Sequence, residues 1–554
     1  IMEALQKRLD GHVKFLSGFE KLSGSSNAHR AVEYITNVLK NYHVSYNVEQ
    51  FPAYLSNPLS STLMLDDGTV LKSRPRSFSK NVPDGIKGAA VYDDNNCSKA
   101  LTPAEIEKLY ESFKGKIVVS HGYDERYAKL MENNGALGWI QIWESDEDEI
   151  HEDTVSSVWG TPDLDSSLML LHIPVICVNK KTGDRLIQYL KDGERDLYMS
   201  ACVDTRVFKV EVPVAEIKGK TDDFVLVSGH YDTWFAGAMD NVTANAACLE
   251  IAKMLQEHEN ELYRSVRIAW WAGHSNGRYM GSAWYCDHYF NELKKKCIAH
   301  VNSDLIGSQK GKLVAVITTG LEDEKETIDM IRKIDADAPI QFKRFGRGAD
   351  QSFWGTEIPY NIMTRYEALP EEKDTAAPGG SAWWHTVEDT YEKVDMHVLE
   401  KETKIFYENV KRFACREVVS AEFHPYFEKM RKNLESVDAA SDPEFVFSDL
   451  YQRLGQLEKM ITERMEAVSD QSRMKLVKIT GGKMNWLMQT YGSPYGQDLA
   501  YAYGMFPHLT AVKNIYRENT SEKEFLFYMT EFVRQKNRFM EETEELMEKI
   551  QRVE

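Results

Sequence analysis

Three histidines and three aspartates in the middle of the chain have the residue types of a metal centre: His230, Asp232, Asp240, His274, Asp304 and His385. Imidazole nitrogen combined with carboxylate oxygen suits zinc, with iron or manganese as borderline alternatives. An ion held by such a set polarises a carbonyl and acidifies water. His274 adds a side chain whose ordinary pKa, about 6.5, fits a general base near neutral pH. Taken singly, each residue has a plainer explanation: Asp240 as a helix cap, Asp232 as a turn residue, any one histidine as a core residue. Their joint placement argues for a site.

That placement depends on the elements around them. His230 and Asp232 follow the apolar run Phe224–Ser228, and Asp240 opens a helix whose face carries Ala247, Ile251, Met254 and Leu255. His274 follows Val266–Trp271, Asp304 closes His300–Leu305, and His385 falls in the loop-like Trp383–Asp389. From about 210 to 425 strands and helices alternate, which predicts an α/β fold with a mixed, mostly parallel sheet and helices on both faces. In such sheets ligands bind outside the carboxyl ends of the strands, where four of these residues lie.

The rest of the chain divides by texture. Residues 3–50 carry a helical period (Val32, Ile35, Val38, Leu39), with a β-type stretch from Val44 to Phe51. Residues 56–205 break into short strands and loops and predict a small insert domain. After about 425 the strands stop, and 443–467 and 521–552 are charged helical patterns with apolar stripes such as Phe525, Met529, Phe532 and Val533.

The motifs then become specific. Gly229-His230-Tyr231-Asp232-Thr233-Trp234 followed by Gly237-Ala238-Met239-Asp240-Asn241, with Asn302–Gly307 and His385–Thr390, resembles the zinc aminopeptidase family that includes glutamate carboxypeptidase II and the transferrin receptor. The resemblance implies a catalytic domain of residues 1–55 and 206–425, a protease-associated insert of 56–205, and a helical dimerisation domain of 426–554 that makes a homodimer. It further implies two ions: Asp240 bridging, His230 and Asp304 on one, His385 and a glutamate on the other. Asp232 would accept the second ring N–H of His230, and the Asp240–Asn241 peptide would be cis.

Two departures stand out. The family's Glu-Glu pair, base and ligand, is replaced by His274-Ser275 within Ala272–Ser282, which has one extra residue. His274 is expected as base or as replacement ligand, with Ser275 assisting. Trp384 stands where the carboxypeptidase branch has a tyrosine, and is expected to shape the substrate pocket. Arg344 and Arg347 could clamp a substrate carboxylate, and Tyr231, with Trp234, Trp383 and Tyr366, could supply aromatic walls.

Composition limits the alternatives. The 554 residues carry 67 Lys+Arg and 86 Asp+Glu, a net charge of −19, which disfavours a phosphate backbone as partner. No apolar run reaches the length of a membrane span. Seven scattered cysteines (97, 177, 202, 248, 286, 297, 415) without a Cys-x-x-Cys pair, and an N-terminus lacking a secretion signal, predict a cytoplasmic protein without a disulfide frame. The expected function is a metal-dependent hydrolase of an amide or peptide-like C–N bond in a small or modified amino-acid substrate. The alternatives are a single-metal enzyme of non-haem iron type and a catalytically silent, receptor-like dimeric binding protein.

Overall fold

The apolar runs become strands of one sheet in the computed structural model, which describes residues 2–94, 103–122, 125–145, 148–191, 193–375 and 378–554. In chain order the strands are β1 (Ser45–Leu65), β2 (Val70–Leu71), β3 (Arg74–Pro75), β4 (Val82–Asp93), β5 (Ile117–His121), β6 (Gly138–Ile142), β7 (Val175–Val178), β8 (Arg195–Ile217), β9 (Thr221–His230), β10 (Arg264–Trp271), β11 (Cys297–Asn302), β12 (Leu313–Thr318), β13 (Ile340–Arg344) and β14 (Tyr360–Glu367). The α-helices are α1 (Met2–Leu16), α2 (Ser26–Asn41), α3 (Pro103–Glu111), α4 (Glu125–Asn133), α5 (Lys180–Lys191), α6 (Thr243–Glu257), α7 (Met280–His288) and α8 (Phe290–Lys296). They continue with α9 (Glu324–Ile334), α10 (Met396–Cys415), α11 (Phe423–Asp438), α12 (Ser448–Ala467), α13 (Asp470–Gln489) and α14 (Glu522–Gln551).

The sheet runs β13-β12-β14-β11-β9-β10-β8-β4-β5-β6-β7-β3, with β1 paired to β8 and β2 to β1. β9 lies parallel to β10 and β11, and β11 parallel to β14, whereas β8 joins β10 and β12 joins β14 in antiparallel fashion. Phe224–His230 are buried along their whole length, as expected of a central strand covered on both faces. α6 is equally enclosed, with every residue from Thr243 to Ala252 buried, so Asp240 enters the site from the most confined helix of the fold.

The expected domain edges at 55/56 and 205/206 fall inside β1 and β8. These strands pair from Ser45↔Glu216 to Leu65↔Leu197, with one bulge between Pro58 and Ser60, and run from the main sheet into the insert. Beyond the ribbon the insert has its own apolar clusters, one around Ile117, Ile140 and Ile176, another around Val118, Trp139 and Tyr127. The helices beyond 425 share a hydrophobic cluster with the main sheet, from Phe224 and Trp270 through Phe427 and Leu454 to Ile550. After β10 the chain forms two short helices, α7 and α8, separated at Tyr289. Among the described residues no helix is long and apolar enough to cross a membrane, and Cys177, Cys202, Cys248, Cys286, Cys297 and Cys415 are free thiols. Cys97 lies outside the described residues.

Candidate metal centre

The last residue of β9 defines the centre. His230 donates its Nδ1 hydrogen to the Asp232 carbonyl, 2.9 Å away, so its Nε2 carries a bare lone pair. That Nε2 lies 3.1 Å from Asp240 Oδ1 and 3.4 Å from Asp304 Oδ1, and all three atoms are buried without a hydrogen-bond partner. Lone pairs brought this close in a buried pocket need a proton or a cation between them. Burial opposes a charged His230, yet the Asp240 and Asp304 carboxylates outweigh it and hold the imidazole well above its ordinary pKa. Burial likewise pushes Asp240 up, but His230 and His385 hold it well below the usual carboxylate range. A field that retains a proton this strongly also suits a divalent cation, which would displace it.

His274 completes the set. Its ring stacks on that of His230 at 3.5 Å and 11°, and its Nδ1 sits 2.7 Å from Asp350 Oδ2. The carboxylate takes the Nδ1 hydrogen and leaves Nε2 as the binding atom, the carboxylate–histidine arrangement typical of metal ligands. Burial and the neighbouring His230 disfavour charge on His274, but Asp350 reverses the balance and raises its pKa. Ligand atoms of His230, His274 and Asp304 lie within 4.8 Å of one another. With Asp240 they make a His2Asp2 donor set fitted to zinc.

Several residues hold these loops in register. Asp389 accepts the backbone N–H of Met239 at 2.8 Å and of Asp240 at 3.0 Å, and burial raises its own pKa to about 7. Asn241 donates to the Ser303 carbonyl and accepts from Leu305 N, which ties the Asp240 turn to the Asp304 loop. The Asp240–Asn241 peptide is cis. Gly237 has φ 55°, and a Cβ there would meet Asp240 O and Thr233 Cβ at 2.4 Å, so the turn tolerates only glycine. The Asp232 carboxylate corrects one expectation. It lies 3.8 Å from His230 Nδ1 and instead accepts the backbone N–H of His274 at 3.2 Å and of Ser275 at 2.9 Å, so it shapes the His274 turn.

The other side of Asp240 is built differently. His385, in the left-handed region at φ 57°, donates Nδ1–H to the Glu152 carbonyl at 2.8 Å and places Nε2 2.9 Å from Asp240 Oδ2. Trp384 Nε1 donates to the same Oδ2 at 2.7 Å. Ligand-type atoms of His151, Asp153 and His385 also lie within 4.8 Å of one another. Arg76, however, donates to His151 Nδ1 at 3.2 Å, which leaves the hydrogen on His151 Nε2. Burial and Arg76 keep that imidazole neutral, far below its ordinary pKa. A second cation there would sit next to a buried guanidinium.

A cavity of about 620 Å³ opens over the centre, walled by the main sheet, by the insert through Glu125, Asp153 and Thr154, and by Ala500 and Ala502 of the C-terminal region. Ser275 and Trp384 line it. Arg344 and Arg347 also line it, but their donors are taken. Arg344 bonds Gln489 Oε1 at 2.6 Å and Tyr503 O at 2.9 Å, and Arg347 bonds the carbonyls of Leu499, Asp498 and Gln351. They fasten the C-terminal segment instead of forming a free clamp. Tyr231 is no cavity wall: it is buried in the main core with its hydroxyl on the Glu211 carbonyl at 2.9 Å.

Residues 213–410 match the model of peptidase family M28. This segment is a peptidase family M28 domain. An aminopeptidase of Pseudomonas aeruginosa is 36% identical over 118 residues, 20% of this chain and 22% of that protein. A probable glutamate carboxypeptidase VP8 of Zea mays is 27% identical over 212 residues, 35% of this chain and 28% of that protein. The chain thus spans under a third of the length of these relatives. The zinc aminopeptidase BSAP of Bacillus subtilis superposes with a TM-score of 0.58 at 18% identity, covering 74% of this chain and 95% of its own. A peptidase M28 precursor of Shewanella amazonensis gives 0.60 at 17%, covering 76% and 97%. These likenesses establish the fold around the M28 domain.

Residues that sequence reasoning missed act on the ligands from elsewhere. Asp350 was visible only as a neighbour of two arginines, and its partner is 76 residues away. Asp389 lay inside the recognised His385 motif without a role. His151, Glu152 and Asp153 sit in the insert, and no spacing links them to His385.

Proposed function

We propose that the chain is a hydrolase of amide or peptide-like C–N bonds that works with one divalent cation, zinc by preference. The observation that carries this reading is the convergence of three buried, partnerless atoms, His230 Nε2, Asp240 Oδ1 and Asp304 Oδ1, with His274 beside them at the floor of the cavity. A cation held there supplies Lewis-acid polarisation of the substrate carbonyl and acidifies the attacking water. The protein does the rest. His230, His274, Asp240 and Asp304 bind the cation; Asp350 and the Asp232 carbonyl fix the tautomers of His274 and His230. Trp384 holds the outer oxygen of Asp240 and closes one wall against bulk water. The cavity has room for a substrate the size of a small peptide or modified amino acid. Half-buried Arg344 and Arg347, which hydrogen-bond neutral oxygens, give its far end a positive field, which favours an anionic group there.

His274 serves in this reading as ligand, because Asp350 occupies its other nitrogen. A one-ion centre is favoured because the Trp384 indole N–H already bonds Asp240 Oδ2 and the Arg76 guanidinium lies behind His151 on that side. Two histidines with a carboxylate also form the arrangement of non-haem iron enzymes, so metal identity decides between the hydrolytic and the iron-type reading. Exposed Leu526, Phe527 and Val533 along α14 support a homodimer through the C-terminal helices.

The test is metal content by inductively coupled plasma mass spectrometry on protein purified without chelator or nickel resin, paired with release of p-nitroaniline from glutamyl- and leucyl-p-nitroanilide. One zinc per chain and chelator-sensitive hydrolysis are expected. No metal after reconstitution would overturn the enzyme reading and leave a silent binding protein.

A further inference from the structure

The hydrolytic reading needs a base, and the turn after β10 does not provide one. His274 is committed at Nδ1 to Asp350 and at Nε2 to the cation set, and an unactivated serine is no base. Five other carboxylates line the cavity: Glu125, Asp153, Asp240, Asp304 and Glu367. Asp240 and Asp304 belong to the centre. Glu125 is paired with Arg278, and Glu367 with Lys343 and Arg365 at 2.6 and 3.1 Å. Asp153 alone among these five is neither part of the cation set nor given a cationic partner by the ion pairs of the described residues. Its Oδ1 accepts the N–H of Thr154 at 2.7 Å.

Its position suits the task. Asp153 follows Glu152, whose N–H donates to the His385 carbonyl and whose carbonyl accepts from His385 Nδ1, both at 2.8 Å, so the carboxylate is registered against the His385 loop. It lies within 4.8 Å of ligand-type atoms of His385 and His151. His151 Nε2 is a fully buried donor with no partner, fixed as N–H by Arg76, and so adds polarity but no competing base.

We propose that Asp153, contributed by the insert, is the general base of this site. The proposal rests on the hydrolase reading. A water O–H proton passes to the Asp153 carboxylate as the water oxygen bonds to the substrate carbonyl carbon. The same proton then passes to the leaving nitrogen as the C–N bond breaks, giving a carboxylic acid and an amine. The base thus comes from the insert, whereas the cation ligands come from the M28 domain.

The experiment compares wild type, Asp153→Asn, Asp153→Glu and Glu125→Gln as full-length, zinc-loaded protein on glutamyl- and leucyl-p-nitroanilide, with metal content and melting midpoint recorded for each. Asp153→Asn is expected to lower kcat by about 10²–10⁴-fold with little change in KM, at unchanged zinc content and melting midpoint. Asp153→Glu should recover at least about tenfold of that loss, and Glu125→Gln should cost less than about fivefold. Wild-type activity retained in Asp153→Asn would overturn the assignment while leaving the hydrolase reading intact. Loss of zinc from Asp153→Asn would make Asp153 a ligand and overturn it as base. A zinc-loaded wild type that cleaves neither probe would overturn the hydrolase reading and this assignment with it.

Discussion

The two oxygens of Asp240 face two differently built halves of the same site. Oδ1 points at His230 and Asp304, where the fold leaves three buried atoms unpaired. Oδ2 points at His385 and Trp384, where an indole N–H bonds the oxygen, a backbone carbonyl of the insert fixes the His385 ring, and Arg76 and His151 lie behind. An unpaired buried polar atom costs about 1–3 kcal/mol; the first half carries three such atoms, whereas Oδ2 has the indole donor. Such unevenness within one carboxylate teaches where an external cation belongs: on the side where the protein has withheld its own donors.

The comparison can be broken most severely by removing a histidine from each half. His230→Ala is expected to abolish stoichiometric zinc binding and lower amide hydrolysis by about 10²–10⁴-fold, whereas His385→Ala should keep its zinc. Equal metal loss in both variants, by mass spectrometry, would erase the distinction between the halves. Next in size is Asp350→Ala, which removes the acceptor behind His274 and is expected to weaken zinc affinity by about 10–100-fold in a competition titration with a chromophoric chelator. Trp384→Phe probes the filled half directly. Freed of its indole donor, Asp240 Oδ2 becomes available, and a second zinc should appear at high zinc concentration; an unchanged single equivalent would mean that Arg76 and His151 alone exclude it.

The smallest effect concerns the support beneath the site. Lys21 is wholly buried, bonds Thr233 Oγ1 and the carbonyls of Phe19 and Ala236, and burial lowers its pKa to about 7. Unfolded lysine titrates near 10.4, so between about pH 7 and 10 the unfolded chain binds more protons and native stability rises with pH. Lys21→Met lacks that rise. Its calorimetric melting deficit against wild type should therefore widen from pH 7 to pH 9.5, and a constant deficit would place the charge of Lys21 elsewhere.

How much of this was legible in the sequence depends on the range of the interaction. Strand ends could be read from apolar runs such as Phe224–Ser228, and with them the placement of His230, Asp240 and Asp304, because both signals are local. The resemblance supplied the pairing of these residues with His385. What could not be read were contacts between distant loops: Asp350 behind His274, Glu152 behind His385, and the arginines' attachment to 489–503. Arg344 and Arg347 were expected at the cavity and are there, but which acceptors would consume their N–H groups depends on a segment about 150 residues downstream. Tyr231 was misplaced for a simpler reason. Side chains alternate across a strand end, and its neighbours His230 and Asp232 took the polar side.

The β1–β8 ribbon carries one more consequence. Because both strands pass, paired on either side of a bulge at Leu59, through the edge between insert and M28 domain, the insert is no interchangeable cassette. A chimera spliced at residues 55 and 205 would cut twenty-odd residues of paired backbone in mid-strand, and a one-residue slip would turn every side chain of the ribbon to the opposite face. Recombination between relatives would succeed only if both strands travelled together, and with them the loop that presents Glu152 and Asp153 to His385.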